Sequence, residues 1–247
     1  MTPLLFTFCL IPLLPPLTDI WAMLNLLFVE ASLELVPAEI TGHPAVARNA
    51  KREGKRPDRV LLDRSLHHHA MGGLAEGEKR GRPDIIHFCL LEALGSPLNR
   101  LGKLKTAVYT LNGAVITVAP ELRLPRDCYR FRNLIEQLLI EGKVPPEGEP
   151  LMRVERKSLG EVKGGLYPSR TIALTSHGKP ERLADLCVRL AKEEVPLVLL
   201  GAYPHGPMRE ETMALADEAV SIYPEPLEAW VVTSRLIYEY ERSSGLT

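Results

Sequence analysis

The sequence predicts an α/β fold built on a parallel sheet. Strand-like and helix-like segments alternate through the C-terminal third, and such alternation implies parallel strands with helices on both faces. A buried strand near residue 24 and an Asn-Gly hairpin in the middle of the chain extend the predicted sheet. The alternating segments are strands at 171–176, 196–201 and 221–224 and helices at 180–193, 208–220 and 226–242.

The first part of the predicted fold contains two strands and two helices. The apolar run LNLLFVEASLELV at 24–36 indicates a buried strand that becomes more polar toward its end. A basic helix and turn at 45–59 leads to a second short buried strand, VLLD, at 60–63. The run IIHFCLLEAL at 85–94 is too long for most buried strands, so it predicts a buried helix that Pro83 starts at its first turn.

A hairpin and one further helix are predicted in the middle of the chain. The runs KTAVYTL and AVITVAP are rich in β-formers and flank Asn112-Gly113, a strong hairpin signal. The apolar-periodic run NLIEQLLIEG then predicts a helix that ends at Gly142. The stretch 143–168 is rich in Pro and Gly, which indicates loops around a short strand.

The composition is typical of a globular protein. Of 247 residues, 45% are apolar and 25% charged, with a net charge of -1. Four cysteines lie far apart without zinc spacing, which favours reduced thiols in a cytoplasmic protein. We therefore expect a cytoplasmic protein with no membrane partner.

The first 22 residues are apolar but fit neither a signal peptide nor an anchor well. No Lys or Arg precedes Arg48, and four prolines interrupt the run. Export through this segment is the weaker alternative. The simpler interpretation is an upstream extension at 1–22, with a single folded domain at 23–247 beginning at Met23.

The segment RLPRDCYRFR at 123–132 is a local basic cluster in a nearly neutral chain. Arg123, Arg126 and Arg130 are spaced three and four residues apart, so a helical segment would place them on one face to bind RNA phosphates. The alternative is a solvated helix face. Its ion pairs would be formed with Glu121, Asp127 and Glu136.

Three irregular segments follow predicted strands: TSHGK at 175–179, GAYPHG at 201–206 and SIYPEPL at 221–227. Ligands of open α/β sheets bind at the carboxyl ends of the strands, so these loops predict a small-molecule pocket. Tight turns without a ligand are the alternative.

The run His67-His68-His69 allows a metal hypothesis, but consecutive residues point in different directions and supply no closed ligand set. Packing and hydrogen bonding beside the LLDRS turn is the preferred interpretation, and no metal is predicted.

Six ordered segments resemble the ribosome-biogenesis pseudouridine methyltransferases of the SPOUT class, in their archaeal form. The similarity runs from Met23 to the C-terminus and leaves out residues 1–22. The segments are MLNLLFVEASLELVP (23–37), LLDRSLHH (61–68), GRPDIIHFCLLEALGSPLN (81–99), RLPRDCYRFRNLIEQLL (123–139), GAYPHG (201–206) and YPEPLEAW (223–230).

The resemblance implies a homodimer whose fold carries family-specific insertions and a C-terminal deep trefoil knot at about 170–247. It implies that S-adenosylmethionine binds in the knot and that N1 of a pseudouridine in small-subunit (16S) ribosomal RNA is methylated. Small-subunit assembly proteins are further possible partners. The implied cofactor contacts are Leu174, Thr175, Gly201, Gly206, Ile222, Tyr223, Pro224, Glu225, Pro226 and Leu227, and the implied RNA contacts are Arg82, Arg123, Arg126 and Arg130.

The segment SIYPEPL departs from the family pattern, which more often has a serine and an aspartate or asparagine ahead of the Tyr-Pro pair. We expect its cofactor contacts to be made mainly by the backbone.

Asp84 in the GRPD motif has two possible roles. It either accepts the proton lost by pseudouridine or orients Arg82 through a charge-assisted pair. An aspartate with an ordinary pKa of about 4 is a poor base near neutral pH, so the orienting or structural role is preferred. The enzyme hypothesis competes with a non-catalytic rRNA-binding assembly factor, and the retained Gly201 and Gly206 favour the enzyme.

Overall fold

The computed structural model describes residues 23–246, and the predicted extension at 1–22 lies outside the described residues. The strands are β1 (Leu24–Ala31), β2 (Leu104–Thr110), β3 (Ala114–Val118), β4 (Lys143–Val144), β5 (Met152–Arg156), β6 (Arg170–Pro180), β7 (Pro196–Gly201) and β8 (Glu218–Ser221). The helices are α1 (Pro44–Glu53), α2 (Arg64–His67), α3 (Pro83–Gly95), α4 (Pro97–Arg100), α5 (Cys128–Glu141), α6 (Leu159–Leu166), α7 (Leu183–Leu190), α8 (Glu210–Met213) and α9 (Ala229–Ser243).

One mixed sheet with the order β4-β5-β3-β2-β1-β7-β6-β8 organises these elements. Strands β2, β1, β7, β6 and β8 are parallel to their neighbours in this half of the sheet. Strands β3, β5 and β4 extend it by antiparallel pairing, starting from the β2-β3 hairpin. The α/β prediction is confirmed, and the hairpin adds an antiparallel half to the predicted parallel sheet.

The core lies on both faces of the sheet, which explains why all eight residues of β1 are buried. Leu26 and Phe28 point into the larger core, which α3, α5, α7 and α9 complete. Leu27 and Val29 point to the other face, where residues of α6 and the α8 region cover them. Strand β1 therefore occupies the centre of the molecule.

A small second core lies in the segment between β1 and α3. It packs Val46 of α1 against Val60, Leu62 and Met71. The predicted strand at 60–63 is wrong, because this stretch forms only a single antiparallel bridge between Leu61 and Leu35. Its apolar residues are buried by neighbouring turns and helices, which produces the same apolar pattern as a buried strand.

The predicted helix at 208–220 is also wrong. Helix α8 covers only Glu210–Met213, and β8 begins at Glu218. Residues 218–220 pair with Ile172, Ala173 and Leu174 of β6, so a non-local ladder takes the place of the predicted last helical turn. The predicted strand at 221–224 consequently lies upstream of its expected position.

The other predicted helices are confirmed, although α5 begins at Cys128, five residues before its predicted start, and α6 lies within the stretch 143–168 that was predicted as loops around a short strand. Pro83 starts α3, and Gly142 follows α5 with a φ of +79°, the left-handed conformation that glycine adopts at helix ends. Among residues 23–246, none of the helices combines the length and the apolar character that a membrane span requires.

Candidate active site

A cavity of about 350 Å³ opens where β6, β7 and β8 end. Parallel strands bring their carboxyl ends to one edge of a sheet, so the three predicted loops meet there. The lining residues are Leu174, Thr175, Ser176, His177, Leu200, Gly201, Tyr203, Pro204, His205, Gly206, Pro207, Met208, Val220, Ser221, Ile222, Tyr223, Glu225, Pro226, Leu227, Ala229 and Val232.

The first wall arises from an irregularity in β6. Val220 of β8 pairs with both Leu174 and Lys179, so residues 175–178 leave the ladder between these two positions. Gly178 makes this detour possible, because a Cβ there would lie 2.5 Å from the backbone of Val220. The displaced residues Thr175, Ser176 and His177 line the cavity.

The second wall is the loop after β7, defined here as the 201–209 loop. Gly206 has a φ of +92°, and a Cβ on Gly201 would come within 2.8 Å of the Tyr203 ring. Burial, with a smaller contribution from the negative charge of Glu30, raises the pKa of Tyr203, so this phenol stays protonated.

Nine of the ten predicted cofactor residues line the cavity, and Pro224 is the exception. Among the lining residues outside the three predicted loops, sequence reasoning missed Leu200, Pro207, Met208 and Val220 and two residues of α9, Ala229 and Val232. These side chains are apolar and give no local signal that separates a cavity wall from ordinary core. The histidines His177 and His205 lie in loops that were predicted, although neither residue was singled out.

Arg82 and Asp84 form a bidentate ion pair at the start of α3. Arg82 Nε donates to Asp84 Oδ1 at 2.8 Å, and Arg82 Nη2 donates to Oδ2 at 2.7 Å. This pairing with Asp84 raises the pKa of the Arg82 guanidinium above its ordinary value. Neither residue lines the cavity, but the backbone N–H of Arg82 donates to Ser32 Oγ, and Ser32 N–H donates to the carbonyl of Ala202 in the 201–209 loop.

The predicted shared helix face of Arg123, Arg126 and Arg130 is wrong. Helix α5 begins at Cys128, with Asp127 as its N-cap accepting a hydrogen bond from the Arg130 N–H at 2.9 Å. Arg123 and Arg126 therefore precede the helix, in a segment whose prolines and cap favour irregular backbone.

All three of these arginines are exposed, and none forms an ion pair with the rest of chain segment 23–246. The ion pairs that the alternative predicted are therefore not formed within residues 23–246, whereas its solvent exposure of these arginines is observed. Of its acidic partners, Glu136 is buried and binds Lys55 instead.

Helix α3 holds the arginine segment in place. The buried His87 ring stacks on Phe131 at a centroid distance of 4.1 Å, and its Nε2 donates to the Pro125 carbonyl at 2.7 Å. Arg123 and Arg126 then line a second cavity, of about 850 Å³, together with Leu91, Leu94, Gly95, Asn99, Arg100, Gly102, Pro120, Glu121, Leu122 and Leu124. The structure thus joins Arg82 and the arginine segment through one helix.

His67 has the packing role that the sequence favoured. It is fully buried, and its Nδ1 accepts a hydrogen bond from the Asp63 N–H at 3.1 Å. Burial lowers its pKa, because the charged imidazolium is disfavoured away from water. His68 and His69 are exposed and stack on each other.

The family model described as EMG1/NEP1 methyltransferase matches residues 26–241. The chain belongs to the EMG1/NEP1 methyltransferase family. The match includes the cavity loops, the Arg82–Asp84 pair and the arginine segment of this EMG1/NEP1 chain.

The EMG1/NEP1 chain matches its relatives over nearly their full length. A Staphylothermus marinus protein named ribosomal RNA small subunit methyltransferase Nep1 is 43% identical over 215 residues, which are 87% of this chain and 93% of that protein. A Thermococcus kodakarensis protein of the same name is 42% identical over 91% of this chain and its own full length. The crystal structure of Archaeoglobus fulgidus Nep1 bound to S-adenosylhomocysteine superposes with a TM-score of 0.80 and 39% identity, covering 91% of this chain and 99% of that one.

Proposed function

We propose that this methyltransferase uses S-adenosylmethionine to methylate N1 of a pseudouridine in 16S ribosomal RNA. The observation that carries the proposal is the cavity at the ends of β6, β7 and β8, together with the exposed Arg123, Arg126 and Arg130, whose segment α3 holds through His87. Relatives named as small-subunit rRNA methyltransferases support the RNA class.

The cavity fits the proposed cofactor. Its volume of about 350 Å³ lies within the range of small-molecule sites. Apolar side chains such as Leu174 and Leu227 suit the adenine ring, while Thr175 and Glu225 supply polar groups for the ribose and amino-acid parts. Gly201 leaves room for the Tyr203 ring, which lines the cavity beside it. When bound, the cofactor supplies an electrophilic methyl group.

The substrate's chemistry accounts for the proposed specificity. Pseudouridine is joined to ribose through carbon, so its ring keeps an N1–H that uridine lacks. The protein mainly has to hold this nitrogen and the methyl group in line at short distance, a task of positioning that requires no metal. Arg123, Arg126 and Arg130 hold the RNA backbone, and the flipped base enters beside Arg82.

We assign Asp84 to orienting Arg82 rather than to accepting the proton. Each of its carboxylate oxygens already accepts a hydrogen bond from the Arg82 guanidinium. A guanidinium fixed in this way presents its remaining N–H groups in a defined direction, which suits a phosphate or a base carbonyl.

Methyl transfer to matched RNA hairpins tests the function. Labelled S-adenosylmethionine is supplied with two hairpins that differ only in having pseudouridine or uridine at one position. We expect label in the pseudouridine hairpin alone. Binding of both hairpins without incorporation into either would favour the non-catalytic assembly factor, and equal incorporation into both would contradict the N1 specificity.

We further propose that the chain forms a homodimer through α3 and α9. Phe88 of α3 is 39% exposed and packs edge-on against Trp230 of α9, and Tyr238 of α9 is 55% exposed. Large apolar side chains gathered on neighbouring helices are typical of a protein interface.

We also propose a trefoil knot in the segment 170–247. Membership of the EMG1/NEP1 family and the close approach of Gly178 to the β8 backbone support this threading. Because small-subunit RNA is the proposed substrate, we place the enzyme in the cytoplasm, where assembly proteins of that subunit are further candidate partners.

A further inference from the structure

Glu30 has an unusual backbone conformation at the carboxyl end of β1. Its φ is +53°, in the left-handed region that residues with a Cβ rarely adopt, and its side chain is almost fully buried at 1% exposure. The pairing of β1 with β2 shifts register at this point, between Phe28 and Ala31. Such strain persists only where surrounding contacts enforce it, and it often marks a functional position.

The turned carboxylate of Glu30 makes two contacts that explain the strain. Its Oε1 accepts a hydrogen bond of 2.7 Å from the backbone N–H of Arg209, at the end of the 201–209 loop. Its Oε2 accepts one of 2.6 Å from Lys79 Nζ. Both oxygens are therefore committed to holding neighbouring chain.

Lys79 makes further contacts with the same loop. It is 5% exposed and reaches from the turn at 77–79. Its Nζ donates to the Pro207 carbonyl at 2.6 Å and lies 4.4 Å from the centre of the Tyr203 ring. Tyr203 and Pro207 both line the cavity described above.

A buried ion pair is stable only when its remaining hydrogen-bonding groups are satisfied. Here the 201–209 loop provides the other partners of both charges, so the pair is complete only while the loop keeps this position. We propose that Glu30 and Lys79 are positioning residues that hold the 201–209 loop in its cofactor-binding shape. This inference rests on the proposed cofactor site.

The chain contains a matched control pair close by. Arg80 Nε and Nη2 donate to the Glu34 carboxylate at 2.6 and 2.7 Å, and both side chains are largely buried. The Arg80 side chain also donates a hydrogen bond to the Ala75 carbonyl, and not to a group of the 201–209 loop. Glu34 and Arg80 therefore resemble Glu30 and Lys79 in chemistry, burial and sequence position but not in what they hold.

The experiment compares Glu30→Gln and Lys79→Met with Glu34→Gln and Arg80→Met in the full chain. Affinity for S-adenosylhomocysteine is measured by calorimetry, and hydrogen exchange of 201–209 is measured without ligand. We expect faster hydrogen exchange in the 201–209 loop of the first two variants. We also expect their affinity for S-adenosylhomocysteine to fall about tenfold, which corresponds to one molecule in about ten keeping the loop in its binding-competent position. The control variants should lose thermal stability without either change.

Glu30→Gly separates backbone strain from the carboxylate, because glycine adopts the positive φ without steric strain. We expect it to behave like Glu30→Gln, since the carboxylate is the holding group. A glycine variant with wild-type exchange and affinity would overturn the inference, as would equal loop exchange in the control variants. The exchange measurement needs no ligand. Failure of the wild-type protein to bind S-adenosylhomocysteine would therefore overturn the proposed cofactor site, whereas unchanged exchange in Glu30→Gln would overturn the holding role.

Discussion

The guanidinium of Arg82 donates two hydrogen bonds, of 2.8 and 2.7 Å, to the carboxylate of Asp84. We expect Asp84→Asn to weaken binding of the RNA hairpin by about tenfold, because the variant no longer has the charge-assisted pair that directs Arg82. Affinity for S-adenosylhomocysteine should not change, and turnover should remain measurable at saturating RNA. The pair is about one-third exposed, so its removal should cost at most about 1 kcal/mol of stability. Loss of kcat with intact RNA affinity would instead identify Asp84 as the base.

Arg126→Ala should weaken RNA binding and flatten its salt dependence. When one arginine no longer binds a phosphate, the slope of log affinity against log salt falls by about 0.9 for duplex and about 0.7 for single strands. Arg48→Ala is the control, because Arg48 is also exposed but belongs to α1 rather than to the arginine segment. A filter-binding titration at several salt concentrations measures the RNA affinity and the salt slope of each variant. Equal loss of cofactor affinity in Arg126→Ala would show that the residue is structural.

Gly178→Ala should destabilise the protein and impair cofactor binding. The added methyl group would lie 2.5 Å from the Val220 backbone, which cannot move aside as a flexible side chain can. We expect a loss of about 1 to 3 kcal/mol, as for other overpacked sites. Gly164→Ala in α6 is the control, since a Cβ there meets nothing within 4 Å. Denaturant unfolding of the two variants should give opposite signs, because alanine is favoured over glycine in a helix.

Protonation of His67 should destabilise the fold at mildly acidic pH. Burial lowers the pKa of His67 from its ordinary value of 6.5, so the unfolded state binds more protons than the folded state just below that pH. The free energy of unfolding should therefore fall as pH decreases through 6.5, by up to about 1.4 kcal/mol per pH unit. His67→Gln should remove this component between pH 5 and 6.5, whereas the exposed His69→Gln should keep it. Identical pH profiles for wild type and His67→Gln would contradict the prediction.

Tyr238→Glu should convert the proposed dimer to a monomer. A charge placed on the α3-α9 face would have to be desolvated in an interface, which is costly without a partner. Light scattering over a range of concentrations measures the change. Tyr167→Glu, at an 84% exposed position after α6, should leave the oligomeric state unchanged. A wild-type monomer at all concentrations would contradict the dimer.

Local signals in the sequence predicted the parts of the fold that local interactions determine. Asn112-Gly113 set the hairpin, Pro83 set the start of α3, and Gly142 set the end of α5. The errors occur where contacts with distant segments of the chain determine the secondary structure. Residues 218–220 form a strand because β6 offers them a ladder, and nothing within the segment indicates this.

The same distinction holds for the candidate site. Its loops were predicted from family-like motifs and from their place after strands, and nine of ten residues line the cavity. The contacts of Lys79 with Glu30 and Pro207 were not predicted, because 49 and 128 residues separate the partners. A buried lysine gives no sequence pattern of its own.

The central position of β1 has a consequence for how the chain is synthesised. β1 pairs along one edge with β7, and the Asn25 side-chain amide donates to the Pro196 carbonyl, 171 residues away. Strand β1 therefore leaves the ribosome long before the strand that covers this edge, a non-local arrangement that slows folding. A nascent chain has no cofactor pocket until β6, β7 and β8 have been made, so an unfinished molecule cannot sequester the methyl donor.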